Sequence, residues 1–450
     1  MKNIFYSALL LLFLVNANIL KALEAVPAEK YFNPTEEVVT PHIKWLKPYA
    51  SGKIKVLFIT YRSGVREMLE IAQRMDLDYK IFAYEFPDKL VREDRTNPIA
   101  GTSFLQEKER LEKLLAGNYD LIVMGNVAWK QMPTNCRFMI LKKLKQGTGL
   151  MGIIQDRDSI LEQILKRIAL SKDTKAKRAD LKQQLASLAY QQLPVFAGNP
   201  DIESFLQKFT VGSFKQGRIC LFDWPAGGKC FRGAWHPLTP PLKTSAFNVN
   251  MNDYDYHMAL LIKLALWTAG KEPSIRIRTG GPATGLVFKR AELNGASVDF
   301  LPAADQAADS VCRFVLRDNA GKETLSLKKK FKINRGENKL SFALKPVPHG
   351  KYFADLWVQN AKGAIVNFAS IPVQVDASSY IKEIVLEKDC FQKNEEVKGK
   401  IILQNPVSGQ KLKIYKADNF GRITAETEIP VSGPETAFSL KAPPAISIVQ

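Results

Sequence analysis

The chain has 450 residues, of which 46% are hydrophobic and 24% charged, an ordinary balance for a globular protein with room for two or three separate cores. Its four histidines and five cysteines are scattered and contain no CxxC pair, which argues against a multi-histidine or zinc-finger-type metal centre. The formal net charge of +19 favours anionic partners, but most of it sits on dispersed lysines, as expected of a generally basic, solvated surface.

The first element is a secretory signal. Lys2 supplies a positive start, Ile4 to Val15 is an apolar run of about a dozen residues, and Ala22 and Ala25 offer small-residue cleavage points. Roughly 20 apolar residues are needed to span a bilayer, so this run is too short to span and reads as a cleaved signal, with an uncleaved anchor as the alternative; no later segment reaches that length. The expected mature chain is extracytoplasmic, periplasmic or secreted, with no transmembrane segment. Residues 1–25 are read as the signal peptide and 26–51 as a lead-in, with Pro41 to Trp45 packing on the next domain.

Strands and helices then alternate. Lys53 to Thr60 is a buried strand, Ser63 to Met75 an amphipathic helix, and Asp78 to Glu85 a second strand. Ser103 to Ala116 is a helix stopped by Gly117, Tyr119 to Met124 a strand, Pro133 to Gln146 a helix closed by Gly147, and Leu150 to Ile154 a fourth strand. Asp158 to Leu193 is helical and strongly basic, from Lys166 to Lys182, with a polar break near Ser171 to Thr174. Phe209 to Trp224 reads as a hairpin turning at Lys215-Gln216-Gly217, and Asp253 to Ala269 as an amphipathic helix ended by Gly270. Asp253 and Asp255 are expected to be helix-start acids favoured by the dipole. This alternation predicts an α/β doubly wound domain over residues 52–273, with any ligand at the carboxyl ends of its strands.

From Ser274 the texture changes to short alternating strands with turns at Thr279 to Pro282, Asp318 to Gly321 and Asn334 to Asn338. Residues 274–376 have the length of an immunoglobulin-like sandwich, and 377–450 start a second, shorter β-sandwich that is either truncated or small. Cys220 and Cys230 are close enough in sequence to bridge, and two buried thiols are the alternative.

Gln146 to Gln155 (QGTGLMGIIQ) resembles the strand that ends in the nucleophile elbow of class I glutamine amidotransferase-like domains, including the trehalose-utilisation type. The resemblance implies a cysteine where Ile154 stands, and a His-Pro-Glu where His236-Pro237 is followed by Leu238. An aliphatic side chain is no nucleophile, so no catalytic residue is assigned. The order of signal, amidotransferase-like domain and sandwiches also resembles non-catalytic regions of bacterial β-galactosidase-like glycoside hydrolases, where the α/β domain serves oligomerisation. A catalytic barrel needs about 250 residues, and no such length is left over.

Arg62, Asn126, Gln155 and Asp156 are the candidate ligand residues at the strand ends, and Trp224 and Trp235 are candidate sugar-stacking residues in an aromatic loop region. No metal ligand and no cofactor is assigned; Tyr61 to Gly64 has a single glycine and lacks a phosphate-binding fingerprint. The expected function is non-catalytic, carbohydrate-associated binding or assembly, with a glycan or a glycoside hydrolase as partner, homo-oligomerisation allowed and nucleic acid not expected. The alternatives are the front portion of a glycoside hydrolase, and a basic surface protein binding anionic polymer through Lys166 to Lys182.

Overall fold

The protein was described from a computed structural model covering residues 39, 42–61, 64–84, 104–125, 127, 129, 132–153, 172–188, 209–222, 251–282, 284–392, 394–418, 423–442 and 447–449. Its elements run β1 (Ile54–Tyr61), α1 (Val65–Arg74), β2 (Leu77–Tyr84), α2 (Phe104–Ala116), β3 (Leu121–Gly125), α3 (Thr134–Lys145) and β4 (Gly149–Ile153). They continue with α4 (Lys172–Leu185), β5 (Phe209–Phe214), β6 (Gly217–Phe222) and α5 (Met251–Thr268). The all-β part follows: β7 (Ile275–Thr279), β8 (Leu286–Lys289), β9 (Ser297–Ala304), β10 (Ala308–Asp318), β11 (Glu323–Ile333), β12 (Gly336–Glu337), β13 (Leu340–Ala343), β14 (Gly350–Gln359) and β15 (Ile365–Asp376). Last come β16 (Tyr380–Leu386), β17 (Glu396–Gln404), β18 (Lys411–Asp418), β19 (Ile423–Pro430), β20 (Glu435–Lys441) and β21 (Ser447–Val449).

The unbroken apolar run of β1 is explained by its position. Val56 and Phe58 face one core while Leu57 and Ile59 face another, so both faces of the strand are buried. The six-stranded sheet has the order β2-β1-β3-β4-β6-β5, parallel except for the β5–β6 hairpin. Helices α1, α4 and α5 contribute Met68, Leu181 and Leu260 to the first core; α2 and α3 contribute Leu111 and Ile140 to the second. The hairpin turns at Lys215 with a φ of 57°. The polar break expected near Ser171 to Thr174 does not form at Lys172 to Thr174, which lie in α4.

Helix α5 differs more. It is not amphipathic: from Tyr256 to Ala269 every residue is buried, including His257 and Lys263. One side lies on the α/β sheet, and its other side meets β14 and β15, so the helix is covered all round.

By internal contacts the described chain divides into two units. The first holds residues up to Leu286 together with Ser297–Ala343 and Tyr352–Val373; the second holds Val287–Ala296, Leu344–Lys351 and the residues from Gln374 on. In the first unit, β11, β10, β14 and β15 lie side by side, and β12, β9, β13 and β7 form the facing sheet. Phe300, Phe314 and Phe342 fill the sandwich between them, with Phe314 and Phe342 stacked at 4.7 Å. The Asp318 to Gly321 turn closes on the Asp318 carboxylate, which accepts from the Ala320 and Lys322 amides. Asn334 to Asn338 is not a hairpin: β11 pairs with β10 and β13 with β9, so this turn carries the chain from one sheet to the other.

The second unit is a small β-sandwich of two three-stranded sheets, β16-β17-β20 and β19-β18-β21. Val397, Ile401, Leu412, Ile414, Phe438 and Leu440 form its core. Within it the His349 ring stacks on Tyr380 at 3.8 Å, and its Nδ1 accepts from the Ala377 amide.

Candidate functional site

Arg62, Asn126, Gln155, Asp156, Trp224 and Trp235 lie outside the described residues, as do Ile154, His236 and Cys230. The strand ends that lead to them are in place. Tyr61, Gly125 and Ile153 close β1, β3 and β4, and the strand order reverses between β1 and β3, where a crevice is expected in such sheets. The glycines of the QGTGLMG stretch have packing reasons of their own. A side chain at Gly149 would run into the Thr268 carbonyl of α5, and one at Gly152 into the Met124 carbonyl of β3. Gly147, at φ 110°, ends α3 in a backbone conformation that favours glycine.

Three of the described thiols, Cys136, Cys220 and Cys312, are free and buried, which disfavours their thiolates. Cys220 is fully buried in β6, its thiol raised by burial, and burial pushes Cys136 up to about 12 and Cys312 up to about 11. Cys220 is a buried free thiol near Thr268, and its considered partner Cys230 lies outside the described residues.

Several perturbed ionisable groups gather in the seam between α5 and the sandwich strands β14 and β15. Asp355 is wholly buried and accepts from the Tyr256 hydroxyl (3.1 Å), the Ser370 hydroxyl (2.7 Å) and Arg317 Nε (3.4 Å). Burial outweighs these partners and raises its carboxyl to about 6. Lys263 of α5 and Trp45 of the lead-in complete the seam. Lys263 donates to Asn367 Oδ1 and to the Phe368 carbonyl (2.8 Å), and burial holds its ammonium well below the usual lysine range. Trp45 of the lead-in stacks on Trp357, touches Tyr256 and Phe368, and donates through Nε1 to the Asp255 carbonyl (2.9 Å). Asp255 does more than sit at a helix start: its Oδ1 accepts from Arg74 Nε at 2.6 Å, tying α5 to α1. Each of these groups is committed to a neighbour, which identifies the seam as structural.

An accessible concavity lies beside it. A cavity of about 530 Å³ is lined by Gln183 of α4, Arg276 and Arg278 of β7, and Leu301 and Ala303 of β9. The strand Ile275–Thr279 alternates strictly, so Ile275 and Ile277 enter the sandwich core while Arg276 and Arg278 point out, about 7 Å apart along the strand. Register places Ala303 opposite Arg276 and Leu301 opposite Arg278, giving a half-buried apolar floor between the two guanidinium groups. Arg276 is paired with Asp305 (2.9 Å) and Arg278 with Glu337. Exposed pairs of this kind contribute only about 0–1 kcal/mol, so a ligand can share these donors and acceptors at small cost. The alternating Ile-Arg-Ile-Arg pattern was the available sequence signal; the approach of Gln183 from about 90 residues earlier was not. The chemistry offered is a set of oriented hydrogen-bond donors and acceptors over a flat apolar floor.

No protein-family model and no curated protein matches the chain. Solved structures that match part of the chain include tandem repeats from the extending region of a large adhesion protein, at 12% identity and TM-score 0.20, covering 38% of this chain and 41% of that one. A family 2 glycoside hydrolase, a β-glucuronidase, matches at 9% identity and TM-score 0.16, over 23% of this chain and 11% of that one. The CARDB domain of a Pyrococcus furiosus protein matches at 16% identity and TM-score 0.17, over 23% of this chain and 94% of that one. The chain therefore spans less than half of the adhesion repeat and about a tenth of the glucuronidase.

Proposed function

We propose that the chain is an exported, non-catalytic, carbohydrate-associated binding protein, with an amidotransferase-like doubly wound domain and immunoglobulin-like sandwich modules. The observation that carries this reading is the β7 groove. Paired guanidinium and carboxylate groups match the mixed donor and acceptor character of sugar hydroxyls, and Leu301 with Ala303 offers a floor for the apolar face of a pyranose ring. Its volume falls within the usual range for small-ligand pockets, about 300–1,000 Å³. The non-catalytic part of the reading rests on Ile154 and Leu238, which stand where the resembling enzymes carry a nucleophile and an orienting carboxylate.

The test is an array of neutral oligosaccharides of two to four residues, followed by calorimetry on the full chain. Arg276→Ala and Arg278→Ala should each weaken the best ligand about tenfold or more, since a hydrogen bond to a charged donor contributes about 1.5–3 kcal/mol. Trp224→Ala and Trp235→Ala, run in parallel, locate the site: loss confined to them moves recognition to the aromatic loop region. Absence of oligosaccharide binding in the parent chain refutes the carbohydrate reading.

A further inference from the structure

Strand β11 contains Lys328-Lys329-Lys330-Phe331-Lys332 and lies at the edge of its sheet, after β10. An edge strand needs protection against pairing with another chain, and an inward-pointing lysine is one of the ways proteins supply it. Lys329 meets that need. It shares the face of Leu325, Leu327, Phe331 and Ile333, and its ammonium lies 5.9 Å from the Phe331 ring. Lys328, Lys330 and Lys332 fall on the opposite face and are exposed, and none of them has an ion-pair partner among the described residues. Successive lysines of this row are about 7 Å apart, giving three like charges along roughly 14 Å of extended strand. Charged side chains on an edge strand also deter pairing, so the row contributes to edge protection; its like charges repel one another, and an anionic partner would relieve that repulsion.

The neighbouring strand extends the field. Register sets Arg313 opposite Lys328, Val311 opposite Lys330 and Asp309 opposite Lys332. The Arg313 guanidinium is held in place by Glu323 (3.0 Å) and lies over the buried Trp357 ring at 5.4 Å. The row is therefore linear, cationic and without an exposed aromatic. Single-stranded nucleic acid is held by charge together with base stacking on aromatic side chains, and this surface offers only the charge.

We infer that the outward lysine row of β11 binds the backbone of an acidic polysaccharide, laid along the strand with its carboxylate or sulfate groups facing Lys328, Lys330 and Lys332. The choice of polysaccharide over other polyanions rests on the carbohydrate reading above; the lysine row is a site separate from the β7 groove. The binding is electrostatic, so it weakens steeply with salt.

The experiment uses the full chain with four probes: dextran sulfate, polygalacturonate, neutral dextran and oligodeoxythymidine. The parent chain should bind the two acidic polysaccharides in 50 mM salt and lose that binding progressively towards 500 mM. The triple variant K328Q/K330Q/K332Q should bind them at least tenfold less tightly, with a log–log salt slope lower by about two to three. K175Q/K177Q/K182Q, on α4, is the matched control for net charge and should change affinity less than threefold. A melting temperature within about 2 °C of the parent shows that the triple variant is folded. The inference is overturned if neither acidic polysaccharide binds, if the triple variant binds as well as the parent, if the α4 control loses as much, or if oligodeoxythymidine binds more tightly through the same lysines. Neutral-oligosaccharide binding at Arg276 and Arg278 should survive the triple change, so failure at the lysine row leaves the groove reading standing.

Discussion

Replacing Asp355 by Asn probes the seam with a near-isosteric change. The carboxyl is wholly buried and accepts from Tyr256, Ser370 and Arg317. Breaking a buried charge pair typically costs about 3–5 kcal/mol. The wild-type carboxylate, however, is itself strained by burial, which raises its pKa from 3.8 to about 6. Between those values the folded chain binds more protons than the unfolded chain, so the contribution of Asp355 is fully present below pH 3.8 and is lost as pH rises through about 6. At about 1.4 kcal/mol for each pH unit, the loss is on the order of 3 kcal/mol. Asn cannot titrate, so the cost of D355N should be larger at pH 4 than at pH 7 by about 3 kcal/mol, the amount by which the native carboxyl loses stability over that range. Urea unfolding of both proteins at pH 4, 5.5 and 7, followed by tryptophan emission, measures the difference; other titrating groups cancel in it because both proteins contain them. A cost that is constant with pH, or larger at pH 7 than at pH 4, would refute the assignment of a strained, buried carboxylate.

Two further changes test other parts of the same frame. Gly152→Ala places a methyl against the Met124 carbonyl at a φ of 155°, and should lower stability by about 3 kcal/mol or more, whereas Gly270→Ala, at φ 65° with open space around it, should cost about 1 kcal/mol in the same thermal melts. Burial lowers the His257 imidazole from 6.5 to about 4, so its contribution is intact above pH 6.5 and is lost as pH falls towards 4. H257Q should therefore flatten the acid limb of the stability curve by about 3 kcal/mol, and an unchanged limb would show that the buried ring does not drive it.

Local chemistry wrote much of the fold into the sequence, and long-range contact wrote the rest. The apolar run at Ile54 to Tyr61, the stop at Gly117 and the Asp318 to Gly321 turn depend on residues within a few positions of one another, and each stands where its pattern places it. Helix α5 shows where periodicity stops. Its apolar residues read as one face of a helix, but the pattern carries no trace of β14 and β15 arriving about 100 residues later to cover Tyr256 and Lys263. Asp255 likewise reads locally as a helix-start acid, and its partner Arg74 lies 181 residues away. The groove follows the same division: Arg276 and Arg278 are legible from strand alternation, and Gln183 enters only through the packing of α4 beside β7.

The seam and the groove are connected through that packing. Gln183 comes from the α/β half and the two arginines from the sandwich half, so the geometry of the groove depends on how the halves are joined. The join is made by backbone as well as side chains: the Ser370 amide donates to the Ser187 carbonyl, the Thr279 amide to the Ala186 carbonyl, and Ile365 and Ala50 extend a similar pairing through the lead-in. Ser187 and Ala186 immediately follow α4, so the same few residues that end the helix fix Gln183 relative to β7. Buried polar groups such as Asp355 and Lys263 add orientation to this join, because an apolar interface would tolerate sliding while their hydrogen bonds are satisfied in one register alone. A groove assembled from two halves gains its rigidity at the seam, and that is where this chain places Asp355 and Lys263, side chains that are costly to bury.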